Sequence, residues 1–259
     1  MVYYFSGTGN SKFVALTLSN FLNLQIQFIP EINPLDIEPA EERLLFVFPV
    51  YSWGVPPLVS KFIAEIPIKF WEEVKEKALS VDCVMTCGDE VALAPEMIIN
   101  EFKRKGISLN SIWSVIMPNN YVLLPGFDVD PLILEKEKLS SCQKRIIEIA
   151  GALSRGDKRI DVERGQWAWI KTKLIFPLFK KWGVFPKKWH YTDSCISCGK
   201  CAKICPLLNV TMEGRHPKWG MKCCSCLGCY HVCPVHAVEY GKETKKKGQY
   251  LFPLKEISD

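Results

Sequence analysis

A chain of 259 residues with 48% hydrophobic residues is long enough for two cores, and its formal charge of +5 is too small for a general nucleic-acid binder. No apolar run reaches membrane-spanning length, so no transmembrane segment is expected. Nothing at the N-terminus reads as a signal peptide, so the twelve cysteines are expected as free thiols in a reducing cytoplasm rather than as secreted disulfides.

Residues 2–5 form a β-branched and aromatic run, and Ser6-Gly7-Thr8-Gly9-Asn10-Ser11 leads from it into the helical pattern of Phe13, Leu16, Leu18, Phe21 and Leu22. Strand, glycine-rich turn and helix make an anion cradle: the glycines bring the backbone close, and the helix N-terminus offers free N–H groups beside the side-chain donors. The expected ligand is a phosphate monoester. Neither the Walker A spacing nor a third glycine of the dinucleotide fingerprint is present. The six residues resemble the phosphate loop of flavodoxins. Over about residues 1–153 that resemblance implies a doubly wound parallel α/β sheet, strand order 2-1-3-4-5, with FMN at its carboxyl edge.

Residues 44–48 read as a buried parallel strand that ends in Pro49-Val50-Tyr51-Ser52-Trp53-Gly54. In flavodoxins the loop after the third strand carries aromatic groups over the flavin, which makes Tyr51 and Trp53 candidates for stacking; as plain loop anchors they would be equally at home. The helix after Pro56-Pro57 runs through a charged surface segment to a fourth strand at 79–86 and then Cys87-Gly88-Asp89, where a further FMN-contacting loop belongs. Cys83 and Cys87 stand apart from the other cysteines and read as small buried hydrophobes. A helix at 97–105 capped by Gly106 leads to a fifth strand at 112–117. That strand ends in Pro118-Asn119-Asn120-Tyr121, whose last three residues are candidates for lining the flavin pocket. A long amphipathic helix at 131–153 carries Cys142.

Residues 155–190 hold ten basic side chains against three acidic ones, interleaved with Trp167, Trp169, Phe176, Phe179, Trp182, Phe185 and Trp189. The expectation is a connector whose aromatic side packs between two modules while its lysines stay solvated. A docking face for an acidic partner or an anionic membrane surface is the other reading, which leaves peripheral membrane contact open.

The spacing Cys-x-x-Cys-x-x-Cys-x-x-x-Cys-Pro then occurs twice, as Cys195, Cys198, Cys201, Cys205, Pro206 and as Cys223, Cys226, Cys229, Cys233, Pro234. A zinc site has no need of three evenly spaced thiols followed by a fourth and a proline. The pattern resembles bacterial two-cluster ferredoxins over roughly 191–240. There the fourth cysteine of each run ligates the other cluster, which implies one [4Fe–4S] cluster on Cys195, Cys198, Cys201 and Cys233 and a second on Cys223, Cys226, Cys229 and Cys205. Cys224, His216, His231 and His236 are surplus to that count. Lys245-Lys246-Lys247 reads as a solvated charge run, and the apolar 250–254 as a return to a domain surface.

The two halves together resemble flavodoxin–ferredoxin fusion proteins, the EFR1-family ferredoxins. The resemblance implies an FMN domain at 1–153, a basic aromatic connector at 154–190 and a small α+β domain with two [4Fe–4S] clusters at 191–259. The expected role is intracellular electron transfer between clusters, FMN and redox partner proteins, without nucleic acid. The alternative is an FMN-dependent reductase of an organic acceptor, fed by its own clusters.

Overall fold

The computed structural model describes residues 1–39, 42–182 and 186–252. Six parallel strands form one sheet: β1 (Val2–Tyr4), β2 (Ile26–Phe28), β3 (Arg43–Pro49), β4 (Ser80–Cys87), β5 (Ser111–Ile116) and β6 (Ile160–Asp161), in the order β2-β1-β3-β4-β5-β6. This is the anticipated order with one strand added beyond β5. Both faces are covered because both are apolar. Leu44, Phe46 and Phe48 of β3 pack on one side with Tyr3 and Phe5, whereas Leu45 and Val47 pack on the other with Val2 and Tyr4. Helices α1 (Asn10–Leu22) and α5 (Leu132–Arg155) close the second face through Phe13, Val14, Leu18, Ile146 and Ile149.

The first face is closed by α2 (Pro57–Glu65), α3 (Ile68–Glu76) and α4 (Ala94–Arg104). The charges of residues 68–76 suggest a solvated surface segment. They form a helix instead, because Phe70, Trp71 and Val74 fall on one side and are buried there. The Trp71 ring meets Phe102 of α4 edge-on at 5.5 Å. The added strand β6 is held by Arg145 of α5, which donates to the Asp161 carboxylate at 2.7 Å and to the Ser114 carbonyl at 3.2 Å.

Next come α6 (Ala168–Ile170), a π-helical turn Lys171–Ile175 and α7 (Phe176–Trp182), in one continuous helical run. Its aromatics do not all pack inward as expected: Phe176 and Phe179 are buried, but Trp167 and Trp169 project into solvent. Phe185 and the side chain of Trp182 lie outside the described residues.

The cysteine-rich part pairs β7 (Trp189–Tyr191) antiparallel with β10 (Val238–Tyr240) and encloses α8 (Lys200–Lys203), the hairpin β8 (Val210–Glu213) with β9 (His216–Trp219), and α9 (Gly228–His231). Its core of Trp189, Val210, Leu227, Tyr230, Val238 and Tyr240 also takes in Val122 and Leu123 from the loop after β5. The chain then returns to the sheet. Lys247 does not stand in solvent as its run suggested: its ammonium donates to the Val122 carbonyl at 2.6 Å and to that of Leu124. Tyr250 donates its hydroxyl to Asn10 at 2.7 Å, and Phe252 stacks on Phe13 at 4.4 Å while its N–H reaches the Thr8 carbonyl at 2.8 Å. Pro253 and Leu254 lie outside the described residues.

Candidate functional site

A cleft opens where β1, β3, β4 and β5 end. It is lined by Ser6, Gly7, Thr8, Asn10 and Ser11 from the first loop, Pro49 to Ser52 from the second, Thr86, Cys87 and Gly88 from the third, and Pro118 to Tyr121 from the fourth. Parallel strands put their carboxyl ends on one edge, so four loops far apart in sequence converge there. Phe179 of α7 and Ser225, Cys226 and Leu227 of the second cysteine run complete the lining, and no sequence signal foretold these four or Thr86 and Pro118 as neighbours of the glycine-rich loop.

The first loop joins β1 to α1, the expected succession of strand, turn and helix. Gly9 stands at φ 105°, a conformation natural to glycine, and precedes α1 without any side-chain cap, so the N–H groups of the first helical turn have no intrahelical acceptor. Its side chains are already engaged, however. Asn10 donates to the Pro118 carbonyl at 3.0 Å, Ser11 and Thr86 share a hydrogen bond of 2.7 Å, and the Asn120 amide donates to the Thr8 hydroxyl. Asn120 is itself held by His231, whose Nε2 lies 2.7 Å from the Asn120 carbonyl while its Nδ1 accepts the Tyr250 N–H at 3.1 Å. Burial, first of all, lowers the His231 pKa to about 4, so both bonds belong to a neutral imidazole.

Four expected flavin contacts lie outside the cleft lining. Residues 51–54 form a tight turn with Ser52 and Trp53 both at positive φ, which swings Trp53 away. Its indole donates to Glu90 at 3.0 Å, and the Lys171 ammonium lies over its ring. Gly54 abuts the Phe176 ring, Gly9 abuts Phe252, and Asp89 is drawn to Lys138 at 3.1 Å. Tyr51 does face the cleft. Burial, and then the thiols of Cys226, Cys224 and Cys223, push its phenol well above the ordinary value. Cys83, Cys87 and Cys142 are buried, and burial raises all three thiols.

The lining carries hydroxyls, amides, aromatic rings and thiols, and among the described residues it includes no Asp, Glu, Lys, Arg or His. The Tyr121 hydroxyl is buried there without a partner. Such a donor set fits a flavin mononucleotide: first-turn N–H groups and hydroxyls for the phosphate, and an apolar, polar-tipped wall for the ring.

The two cysteine runs adopt the same local structure. Ser197 and Ser225 both stand at φ 58°, and Leu208 and His236 both at φ 50°. The fourth cysteine of each run accepts a backbone N–H from four residues on, Asn209 to Cys205 at 3.2 Å and Ala237 to Cys233 at 3.1 Å. Cys195, Cys198 and Cys201 ring one cavity together with Cys233 from the other run. In the second group burial, and then the thiols of Cys226, Cys223 and Cys205, raise Cys229. The first group fits a cubane, which needs four thiols around a space and N–H groups aimed at sulfur, and the thiols of the second lie near one another. Among the described residues no three His, Cys, Asp or Glu side chains converge on a point as for a single ion. Cys224 hydrogen-bonds Cys226, which raises its own pKa and lowers that of Cys226. The Trp189 and Trp219 indole N–H groups are buried without an oxygen or nitrogen acceptor, and face Cys223 and Cys229.

Residues 189–207, which hold the whole first run, match the family model described as 4Fe-4S binding domain. The chain thus carries a 4Fe-4S binding segment at those residues. Consistent with this, a ferredoxin from Pyrobaculum islandicum is 37% identical over 67 residues, a stretch covering 23% of this chain and 63% of that ferredoxin's length. Among solved structures, the Trp repressor binding protein from Bacillus subtilis aligns with 57% of this chain and 96% of its own at 17% identity and a TM-score of 0.36. Among the described residues no helix is long and apolar enough to cross a membrane.

Proposed function

We propose that the chain is an electron-transfer protein uniting FMN with two [4Fe–4S] clusters, organised as a flavin unit at 1–153, a connector at 154–190 and a cluster unit at 191–259. The observation that carries this reading is the presence of Cys226 in the wall of the cleft, beside the glycine-rich loop. When bound, FMN supplies a centre that holds one or two electrons and the clusters supply one-electron centres, so a fusion of the two divides or combines electron pairs.

The residues divide the work. Ser6, Thr8 and the first turn of α1 hold the phosphate, and Tyr51 and Tyr121 flank the ring. Cys195, Cys198, Cys201 and Cys233 hold one cluster, and Cys223, Cys226, Cys229 and Cys205 the other. Because Cys226 and Leu227 serve both the second cluster and the cleft, the second cluster is the one adjacent to the flavin. Cys198 is the exposed thiol of the eight, so the first cluster faces redox partners.

Anaerobic purification followed by flavin chromatography and iron analysis tests the reading. The expected result is FMN together with about eight irons per chain, the content of two cubanes. Thr8→Val should weaken flavin retention and leave iron content unchanged. Recovery of FAD, or of no flavin from fully iron-loaded protein, would refute the assignment.

A further inference from the structure

The helical run 168–182 is apolar on two opposite sides. Inward, Thr172, Phe176 and Phe179 are buried; the Thr172 hydroxyl donates to the Trp53 carbonyl at 2.8 Å and accepts the Leu93 N–H at 3.0 Å. Outward, Trp167, Ile170, Leu174 and Leu178 follow one another at intervals of three and four residues, so they form a single stripe. They are 71%, 39%, 52% and 50% exposed, and Trp169 and Ile175 widen the stripe. A run that buries one apolar side and exposes another has apolar surface left unpartnered, and contiguous exposed apolar surface of this kind marks an interaction site.

The charge around the stripe selects the surroundings. Residues 164–192 contain no Asp or Glu, and the exposed Lys173, Lys180 and Lys181 flank the stripe, whereas Lys171 turns inward to Glu90. Long lysine stems run along apolar surface and keep the ammonium at a polar boundary. Leu and Ile along the helix, Trp at its start and Lys at its sides are the composition of a helix that lies in the plane of a bilayer surface. We infer that residues 167–182 dock this protein onto an anionic membrane surface, with Trp167, Ile170, Leu174 and Leu178 entering the headgroup boundary. This does not depend on the flavin and cluster assignments.

The test uses the purified cofactor-loaded protein with vesicles of phosphatidylcholine and phosphatidylglycerol in equal parts, and with pure phosphatidylcholine. The protein should sediment with the anionic vesicles at low salt, be released as salt rises, and show a blue shift of its tryptophan emission on binding. The variant Trp167→Ser/Leu174→Ser/Leu178→Ser changes only exposed side chains, so it should keep its iron content and circular dichroism. Its affinity for the vesicles should fall at least about tenfold. Failure of the wild-type protein to sediment with anionic vesicles would overturn the proposal, as would unchanged binding by the triple variant. The proposal also falls if the wild type ignores vesicles but forms a dimer that the triple variant breaks, since the stripe would then cover a second copy of the chain.

Discussion

Gly7→Ala isolates the contact between the glycine-rich loop and the second cysteine run. A Cβ at Gly7 would lie 2.7 Å from the Cys226 Cβ and 3.0 Å from its carbonyl carbon, and closer still to the carbonyl oxygen. None of these atoms belongs to a flexible side-chain end that could rotate aside. Gly7 does not occupy the left-handed region, so alanine meets no backbone strain there and the cost arises from the contact alone. The contact is mutual, since a Cβ at Gly228 would come within 2.9 Å of the Gly7 carbonyl oxygen. Forcing apart backbone segments in van der Waals contact costs about 1–3 kcal/mol. Denaturant unfolding of the iron-loaded protein should therefore show each single variant, Gly7→Ala and Gly228→Ala, destabilised by about that amount. The double variant should fall short of the sum, because one displacement relieves both clashes. Wild-type stability in Gly7→Ala, or strict additivity in the double variant, would show that the two loops do not bear on each other.

Phe252→Ala removes a buried ring stacked on Phe13, a loss of about 3–5 kcal/mol in a full core and capped here by local opening of the segment; faster amide exchange at residue 252 is the readout. Trp189→Phe and Trp219→Phe delete N–H donors that face Cys223 and Cys229, so in electron-paramagnetic titration one of two cluster potentials should become more negative while the other stays fixed. Asp82 is buried and its pKa is raised from 3.8 by burial above all, with the Ser111 hydrogen bond at 2.6 Å and Arg43 opposing. The unfolded chain thus gives up this proton at lower pH than the folded one, and stability falls as pH rises from 3.8 through the folded value. Asp82→Asn keeps an acceptor for Ser111 and should flatten that slope in unfolding curves taken from acid to neutral pH.

Strands and loops legible in the sequence were those whose signal is local. Residues 44–48 read as a buried strand because five successive apolar side chains serve two faces at once, and the glycine-rich loop read as a cradle because its chemistry lies in consecutive residues. Helix α3 was obscured by its charges: Glu72, Glu73 and Lys75 dominate the composition, while the three side chains that fix the helix are few and fall on its hidden side. Strand β6 has two residues and exists because Arg145, far along α5, reaches Asp161. Trp53 was drawn to the ring site by its residue type, but its position is set by the positive φ of the turn and by Glu90, neither of which composition reports. Phe179 and Leu227 reach the cleft through the docking of separate segments, a property of packing that no spacing rule contains.

The return of residues 250–252 over the glycine-rich loop bears on the order of events during synthesis. A chain made from its N-terminus completes the parallel sheet at residues 160–161, while the cysteine runs and the closing segment are still unmade. Throughout that interval the loop at residues 6–11 is uncovered, with neither Cys226 against Gly7 nor Phe252 against Gly9. A ligand of the loop would therefore enter most easily before the cysteine-rich unit closes and Tyr250 reaches Asn10.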